Sequence, residues 1–257
     1  MNHAIGTLRR GALVALLFTL LAGCATTAAN RPAPDVPARH TAAEFRDLRI
    51  AYEPDPWEGF NRSMYQFNYY LDHYLFLPVV HGYEFITPVF VQDRVSDFFN
   101  NLGEIKNLTN SVLQLKGGET GHTLARFLTN STVGLGGLFD PATTWGLERR
   151  PEDFGLTLAR WGVASGNYLV LPVFGPSSAR DAGGLAVDGG ISYGIYTLAD
   201  PFRSLDESFT IEAGVATLDA IDTRHQIPFR YFESGYPFEY EMVRFFTRER
   251  RELATKK

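Results

Sequence analysis

One cysteine, Cys24, stands in the whole 257-residue chain. No intrachain disulfide can form, so the fold holds by packing and hydrogen bonds alone. Basic residues are not in excess either. There are 24 Lys and Arg against 29 Asp and Glu, a formal charge of −5, which argues against a broad nucleic-acid surface. Beyond residue 23 no apolar run reaches the roughly 18 residues of a spanning helix. The longest strongly apolar stretch there, Tyr168 to Phe174, is interrupted by Pro172. His40, His73, His81, His122 and His225 form no tightly spaced ligand pair, and without a second cysteine metal chemistry has no sequence signal. A Gly-rich phosphate loop ending in lysine is also missing, so the chain itself is not expected to hydrolyse ATP. Aromatic residues, in contrast, are plentiful, with 20 Phe and 12 Tyr. They fill a core, or they face lipid, because rings with polar tips favour membrane interfaces.

The first residues have the order of a secretory signal. Arg9 and Arg10 give a positive start, Leu13 to Leu21 an apolar core, and Ala22-Gly23 the small residues before Cys24. Leu21-Ala22-Gly23-Cys24 resembles the bacterial lipobox, in which the thiol takes a diacylglycerol, the peptide is cut before the cysteine, and the new amine is acylated. Two or more acyl chains make anchoring stable. Cleavage removes Arg9 and Arg10 and no acid, taking the formal charge from −5 to −7. Ala25 rather than Asp follows the cysteine. By resemblance to enterobacterial lipoproteins, this implies the periplasmic face of the outer membrane. The expected organisation is a signal peptide over 1–23, an acylated N-terminus and Pro-containing linker over 24–51, and a helical domain over 52–257.

The remainder reads as mainly α. Asp55-Pro56-Trp57-Glu58 predicts a helix start. From there Phe60, Met64, Phe67, Leu71 and Tyr74 mark one face, and Asn61, Asn68 and Asp72 a polar second row. Pro78 is expected to end this helix. Val91 to Leu115 repeats apolar residues at steps of three and four, with Gly103 as a possible break and Asn100, Asn101, Asn107 and Asn110 as an unusual set for a helix. Gly117-Gly118 predicts its end. Glu119 to Thr132 predicts another helix with Leu124, Phe127 and Leu128 inward. Asp140-Pro141 predicts a further start, and Phe154, Leu158 and Trp161 a short helix. Tyr168 to Phe174 reads as extended or hairpin-like. Ser178-Ala-Arg-Asp181 and Ser204-Leu-Asp-Glu207 resemble capping boxes, the second opening a helix to about Arg224. Gly190 and Gly194 have the spacing that lets two helices approach closely. Phe238 to Leu253 predicts a last helix with a basic end, suited to a helix C-terminus or to acidic head groups.

These stretches together resemble one family. Asp55-Pro-Trp-Glu-Gly-Phe-Asn-Arg62, Asn107-Leu-Thr-Asn-Ser-Val-Leu-Gln114, Arg126 to Asp140, Glu152 to Gly162 and Tyr168 to Asp181 run in the order seen in the MlaA (VacJ) family of outer-membrane lipoproteins. The resemblance implies a single helical, ring-like domain lying in the inner leaflet of the outer membrane, with a central amphipathic channel. Through it, misplaced phospholipid leaves the outer leaflet and passes to a soluble periplasmic carrier, and onward to an inner-membrane transporter. A porin trimer is the implied membrane partner. No cofactor is implied beyond the covalent diacylglycerol and N-acyl chain on Cys24. Within the match, Phe60, Asn61 and Arg62, with Asn68, are expected to control the channel or to serve ordinary helix packing. Arg180 and Asp181 are expected near head groups or at a helix cap.

Two competing readings stand beside this one. Gly190-Ile191-Ser192-Tyr193-Gly194 fits the nucleophile elbow of lipases, and Asp219 or Asp222 and His225 follow in the required order. An elbow needs a strand before it, however, and the chain upstream reads as helices. The other reading is a structural envelope lipoprotein that braces porins without moving lipid.

Overall fold

A computed structural model describes residues 54–199 and 208–256. The signal sequence, Cys24, the linker and the Ser204–Glu207 motif lie outside the described residues. The described elements are nearly all helical, as the sequence predicts.

The first helix, α1, spans Glu58–Leu71. The Asp55 carboxylate opens it by accepting from the Trp57 amide at 3.0 Å. The chain does not leave the helical path at Pro78. A single π-turn, Asp72–Phe76, joins α1 to α2, Leu77–Ile86. Pro78 sits in the first turn of α2, where the register shifts from the wider π-turn and a missing N–H does no harm. Helix α3, Val89–Leu113, is unbroken. Gly103 does not interrupt it, because one internal glycine costs only about 1 kcal/mol. Its bare Cα instead makes room for Arg149, whose guanidinium would lie 3.0 Å from an added Cβ. Gly117-Gly118 do not terminate a helix but begin one, α4, Gly117–Thr132. The break falls before them, at Leu115, where φ is 55°.

Asp140 caps the short α5, Pro141–Thr144, by accepting from the Thr143 amide, and Asp153 caps α6, Phe154–Arg160, in the same way. The expected hairpin follows. Strands β1, Tyr168–Leu171, and β2, Gly175–Ser178, pair antiparallel with Tyr168 opposite Ser178 and Leu171 opposite Gly175. Ser178 Oγ accepts from the Asp181 amide at 3.1 Å and so starts α7, Ala179–Ala199. Helices α8, Ser208–His225, and α9, Glu239–Thr255, complete the chain. The close helix approach is not at Gly190 and Gly194, where no described residue lies within 4 Å of an added Cβ. It is at Gly184, where an added Cβ would stand 2.4 Å from the Gly155 amide of α6.

Among the described residues the apolar core is small. Tyr65, Tyr168, Val170 and Tyr240 form it, with Met64, Tyr231, Phe232 and Val243 against its edge. Its rings meet edge-on, Tyr65 at 4.8 Å from Tyr231 and 5.9 Å from Tyr240. Much of the remaining interior is polar. On α3, Asn101, Glu104, Asn107, Asn110 and Ser111 are buried, and on α4, Thr123, Arg126 and Asn130. Much of each apolar row faces outward, although Met64 meets the core. Leu124 and Leu128 of α4, expected inside, are exposed, as are Phe60, Phe67 and Tyr74 of the α1 row. The helical period was legible, but the buried face is the one whose side chains have hydrogen-bond partners.

Candidate functional site

The polar row of α1 docks the hairpin. Asn61 and Asn68 are two helical turns apart, about 10.5 Å. Val170 lies on β1, and Val173 in the turn that follows it, at φ 71°. Each amide meets one donor and one acceptor of the hairpin backbone. Asn61 donates to the Tyr168 carbonyl at 3.0 Å and accepts from the Val170 amide at 2.8 Å. Asn68 donates to the Leu171 carbonyl and accepts from the Val173 amide, both at 2.8 Å. The Asn61 amide also faces both Asp55 oxygens at 3.2 Å. Tyr240 of α9 donates to Asp55 at 2.5 Å, and Arg244 lies 3.5 Å from it. Burial, and then the bond to Asp55, push the Tyr240 hydroxyl well above the usual tyrosine range.

Arg62 points elsewhere. Its guanidinium lies 4.3 Å over the Tyr240 ring and pairs with Glu58 at 2.8 Å and with Glu241. Burial opposes its charge, but these two carboxylates outweigh it and raise its pKa. Phe60 is half exposed. Thus the structure brings Asn61 and Asn68 onto one hairpin, turns Arg62 toward α9, and leaves Phe60 outside.

A second polar assembly occupies the α3–α4 interface. Arg126 and Glu104, 2% and 1% exposed, pair at 3.1 Å. Arg126 further donates to Asp140 and Thr143, both at 3.0 Å, and to the Leu147 carbonyl. Burial alone would raise the Asp140 carboxyl, but bonds from Thr143, Arg126 and Asn130 hold it down at about 2. Asn107 donates to Glu104 at 3.0 Å and accepts from the Glu152 amide at 3.0 Å. Asn110 donates to Asp188 of α7 at 2.9 Å and accepts from Thr157 of α6 at 2.8 Å. The asparagines that looked out of place in a helix are therefore the joints between helices. Sequence reasoning missed Glu104, Arg126 and Asp188. The signal for Glu104 was three-residue spacing from Asn101 and Asn107, and for Arg126 a position between apolar residues on a predicted helix; Asp188 had none.

Arg180 and Asp181 lie just beyond β2. They pair at 2.9 Å, and the other Asp181 oxygen is 2.9 Å from Arg251 of α9, which also grips Asp153 at 2.6 Å. Burial would raise both carboxyls, but Arg251 outweighs it and lowers them. Helix α9 therefore ties the hairpin, α6 and α7 together.

No described hydrogen bond joins the lipase-like residues to one another. Ser192 lies inside α7 rather than at a strand-to-helix turn. Asp222 accepts from Ser96 at 2.6 Å and from Gln226 at 2.7 Å. His225 Nδ1 lies 2.7 Å from Glu84. Burial first, then Asp222, raises the Asp219 pKa.

Among the described residues no helix is long and apolar enough to cross a membrane. Yet the surface carries Phe85, Ile86, Val89, Phe90 and Val91 in one run, with all three tryptophans exposed. A buried polar framework beneath many exposed apolar side chains is the arrangement by which helices pack where lipid surrounds them. Comparison with known proteins agrees. A family model described as MlaA lipoprotein matches residues 53–254, and the chain belongs to that family. It is 33% identical to the intermembrane phospholipid transport system lipoprotein MlaA of Escherichia coli strain K12, over 86% of this chain and 77% of that protein. It is 45% identical to an uncharacterized protein of Rickettsia prowazekii over 49% of this chain, and the match spans about half, 51%, of that relative. A solved structure described as the structural basis for maintenance of bacterial outer membrane lipid asymmetry superposes with a TM-score of 0.60 at 30% identity. It covers 79% of this chain and all of that one.

Proposed function

We propose that this chain is the lipid-anchored outer-membrane component of an intermembrane phospholipid transport system. It removes mislocalised phospholipid from the outer leaflet and hands it to a periplasmic carrier, and so maintains the lipid asymmetry of the membrane. Cys24, carrying diacylglycerol and an N-acyl chain, anchors it to the periplasmic face. The body lies in the inner leaflet as a ring around an amphipathic channel, beside a porin trimer. The observation that carries this reading is the inverted burial: acids, amides and Arg126 inside, Phe, Leu and Val outside. In lipid, helices gain little from hiding apolar side chains from one another, and buried hydrogen bonds supply the specificity. The relatives named as phospholipid transport lipoproteins support the assignment.

On this proposal the protein is not an enzyme, and its energy for directional movement comes from elsewhere. Asn61 and Asn68 set the position of the hairpin against α1, with Phe60 and Arg62 on the flanks of the same helix. Arg180 and Asp181 fix the far end of that hairpin to α9. The test is outer-leaflet phospholipid in a deletion strain complemented with wild type, Cys24→Ala or Ser192→Ala. Accumulation without the protein, rescue by Ser192→Ala and failure of Cys24→Ala are expected. A leaflet unchanged by the deletion would remove the transport assignment. A folded, correctly placed Ser192→Ala that fails would favour the hydrolase.

A further inference from the structure

Helix α7 carries five glycines in its 21 residues. Each internal glycine weakens a helix relative to alanine, so each needs a reason. Four of them form two adjacent pairs, Gly183-Gly184 and Gly189-Gly190, and the structure treats the pairs differently. The first pair is braced. Gly184 is buried, and an added Cβ there would stand 2.4 Å from the Gly155 amide of α6, so only glycine permits that crossing. On the N-terminal side, Asp181 is 2.9 Å from Arg251 of α9, and its amide donates to Ser178 at 3.1 Å. On the C-terminal side Asp188, 6% exposed, accepts from Asn110 of α3 and from the Phe154 amide of α6, both at 2.9 Å. From Ala179 to Asp188 the helix is therefore fixed to α3, α6 and α9.

The second pair directly follows the last of these ties. Gly189 and Gly190 are exposed, and no described residue packs within 4 Å of an added Cβ at either. Close packing does not explain them, since alanine would fit at both. Adjacent glycines are a recognised cause of a sharp bend in a helix, and a hinge is a few residues that absorb a large backbone change. In α7 the bend is available only at the second pair, because the first is held on both sides.

We propose that Gly189-Gly190 is a hinge in α7, about which the distal half of the helix swings while the proximal half stays fixed, and that phospholipid movement through the protein depends on it. The α3–α4, α3–α7 and α6–α9 junctions are closed by polar pairs, Arg126 with Glu104, Asn110 with Asp188 and Arg251 with Asp153. A passage for a two-chained lipid needs a wall that yields, and the unbraced glycine pair supplies one. The inference rests on the transport reading.

Two double variants of the full-length protein test this, matched in chemistry and different in place. Gly189→Ala/Gly190→Ala removes the hinge. Gly183→Ala/Gly194→Ala removes two glycines that also face open space but lie on either side of it. Each is followed by outer-leaflet phospholipid in the complemented deletion strain, by thermal unfolding in detergent, and by hydrogen exchange of the α7 amides. Both variants are expected to keep the thermal midpoint or raise it by up to about 8 °C. Only Gly189→Ala/Gly190→Ala should leave most of the excess outer-leaflet phospholipid of the deletion strain in place. Only it should slow exchange of the Tyr193 and Gly194 amides, whose helical bonds cross the hinge. Adding Ser192→Gly to that variant returns flexibility two residues further on and should restore transport. Full transport by Gly189→Ala/Gly190→Ala overturns the proposal, as does equal loss in both double variants. A lowered midpoint in the hinge variant also overturns it, because a clash then explains the loss. Failure of Ser192→Gly to restore transport does so too, since the glycines would then supply space rather than flexibility. If the wild-type gene does not lower outer-leaflet phospholipid relative to the deletion, the transport reading falls, and the hinge's function with it.

Discussion

Replacing Arg126 with methionine isolates the role of the polar interior. Methionine keeps the length and apolar stem of arginine but removes every donor. Glu104, 1% exposed, would keep the Asn107 amide at 3.0 Å and a distant Arg149 at 3.8 Å. Asp140 would lose the guanidinium at 3.0 Å, and the Leu147 carbonyl would lose its donor. Removing one partner of a buried ion pair costs about 3–5 kcal/mol, mostly as the desolvated charge left behind. For a domain of this size about 1 kcal/mol moves the thermal midpoint by roughly 2–4 °C, so a fall of about 6–20 °C is expected. The assay is thermal unfolding of full-length protein in one detergent, followed by helical circular dichroism. The double variant Glu104→Met/Arg126→Met should be less destabilised than the sum of its single changes by at least about 1 kcal/mol, because it leaves no buried carboxylate at position 104. A fall of less than about 3 °C for Arg126→Met, or strict additivity, would refute the claim that this pair organises the interior.

The remaining predictions concern the hairpin, acid stability and the α6–α7 crossing. Asn61→Ala and Asn68→Ala each strand a β1-side amide and carbonyl at about 1–3 kcal/mol per buried group. Hydrogen exchange at Val170 and Val173 should speed up, respectively, while Phe60→Ala leaves both amides protected. Asp140 is depressed from 3.8 to about 2, so its contribution is present above pH 4 and is lost as pH falls through about 2. That contribution is at most about 2 kcal/mol, less after solvent screening of its exposed part; Asp140→Asn should flatten the stability profile between pH 4 and 2, and an unchanged slope contradicts the assignment. Gly184→Val places side-chain atoms against the Gly155 backbone, and a loss of several degrees in the thermal midpoint is expected, whereas Gly190→Ala, facing open space, should be neutral or stabilising.

Much of the helical order was legible because periodicity and capping are local. Asp140-Pro141 and Ser178 to Asp181 start helices as their chemistry requires, and Gly175 turns the hairpin at φ 78°. Pro78 and Gly103 misled in the same direction, each read as a break in a helix. Pro78 is relieved by the π-turn before it, and one internal glycine costs too little to interrupt α3. The inward direction of α4 was not legible. Leu124 and Leu128 define a face by period alone, and period is silent about which solvent surrounds it. Of the expected site, Asn61 and Asn68 were readable as a stripe, but their purpose needed β1 beside them. Glu104 and Arg126 were unreadable as a pair, since 22 residues and a helix reversal separate them.

The inverted interior also explains why asparagine recurs where leucine would serve a water-soluble bundle. A leucine in the α3 stripe would gain from burial only if the alternative were water; against acyl chains the two environments are nearly equivalent. An amide differs sharply between them. Inside, Asn107 links Glu104 to the Glu152 amide, and Asn110 links Asp188 to Thr157; turned outward into hydrocarbon, each would lose its partners at a cost of several kcal/mol. The choice of face is thus enforced by the polar residues, and the apolar ones follow. The same logic predicts that Asn110→Leu, although it raises helix propensity, weakens the α3–α6–α7 junction more in micelles than Leu128→Asn weakens α4 in water-exposed form. The comparison is made by hydrogen exchange of α6 amides, and equal protection in both variants would show that burial of apolar surface, not amide pairing, sets these helix faces.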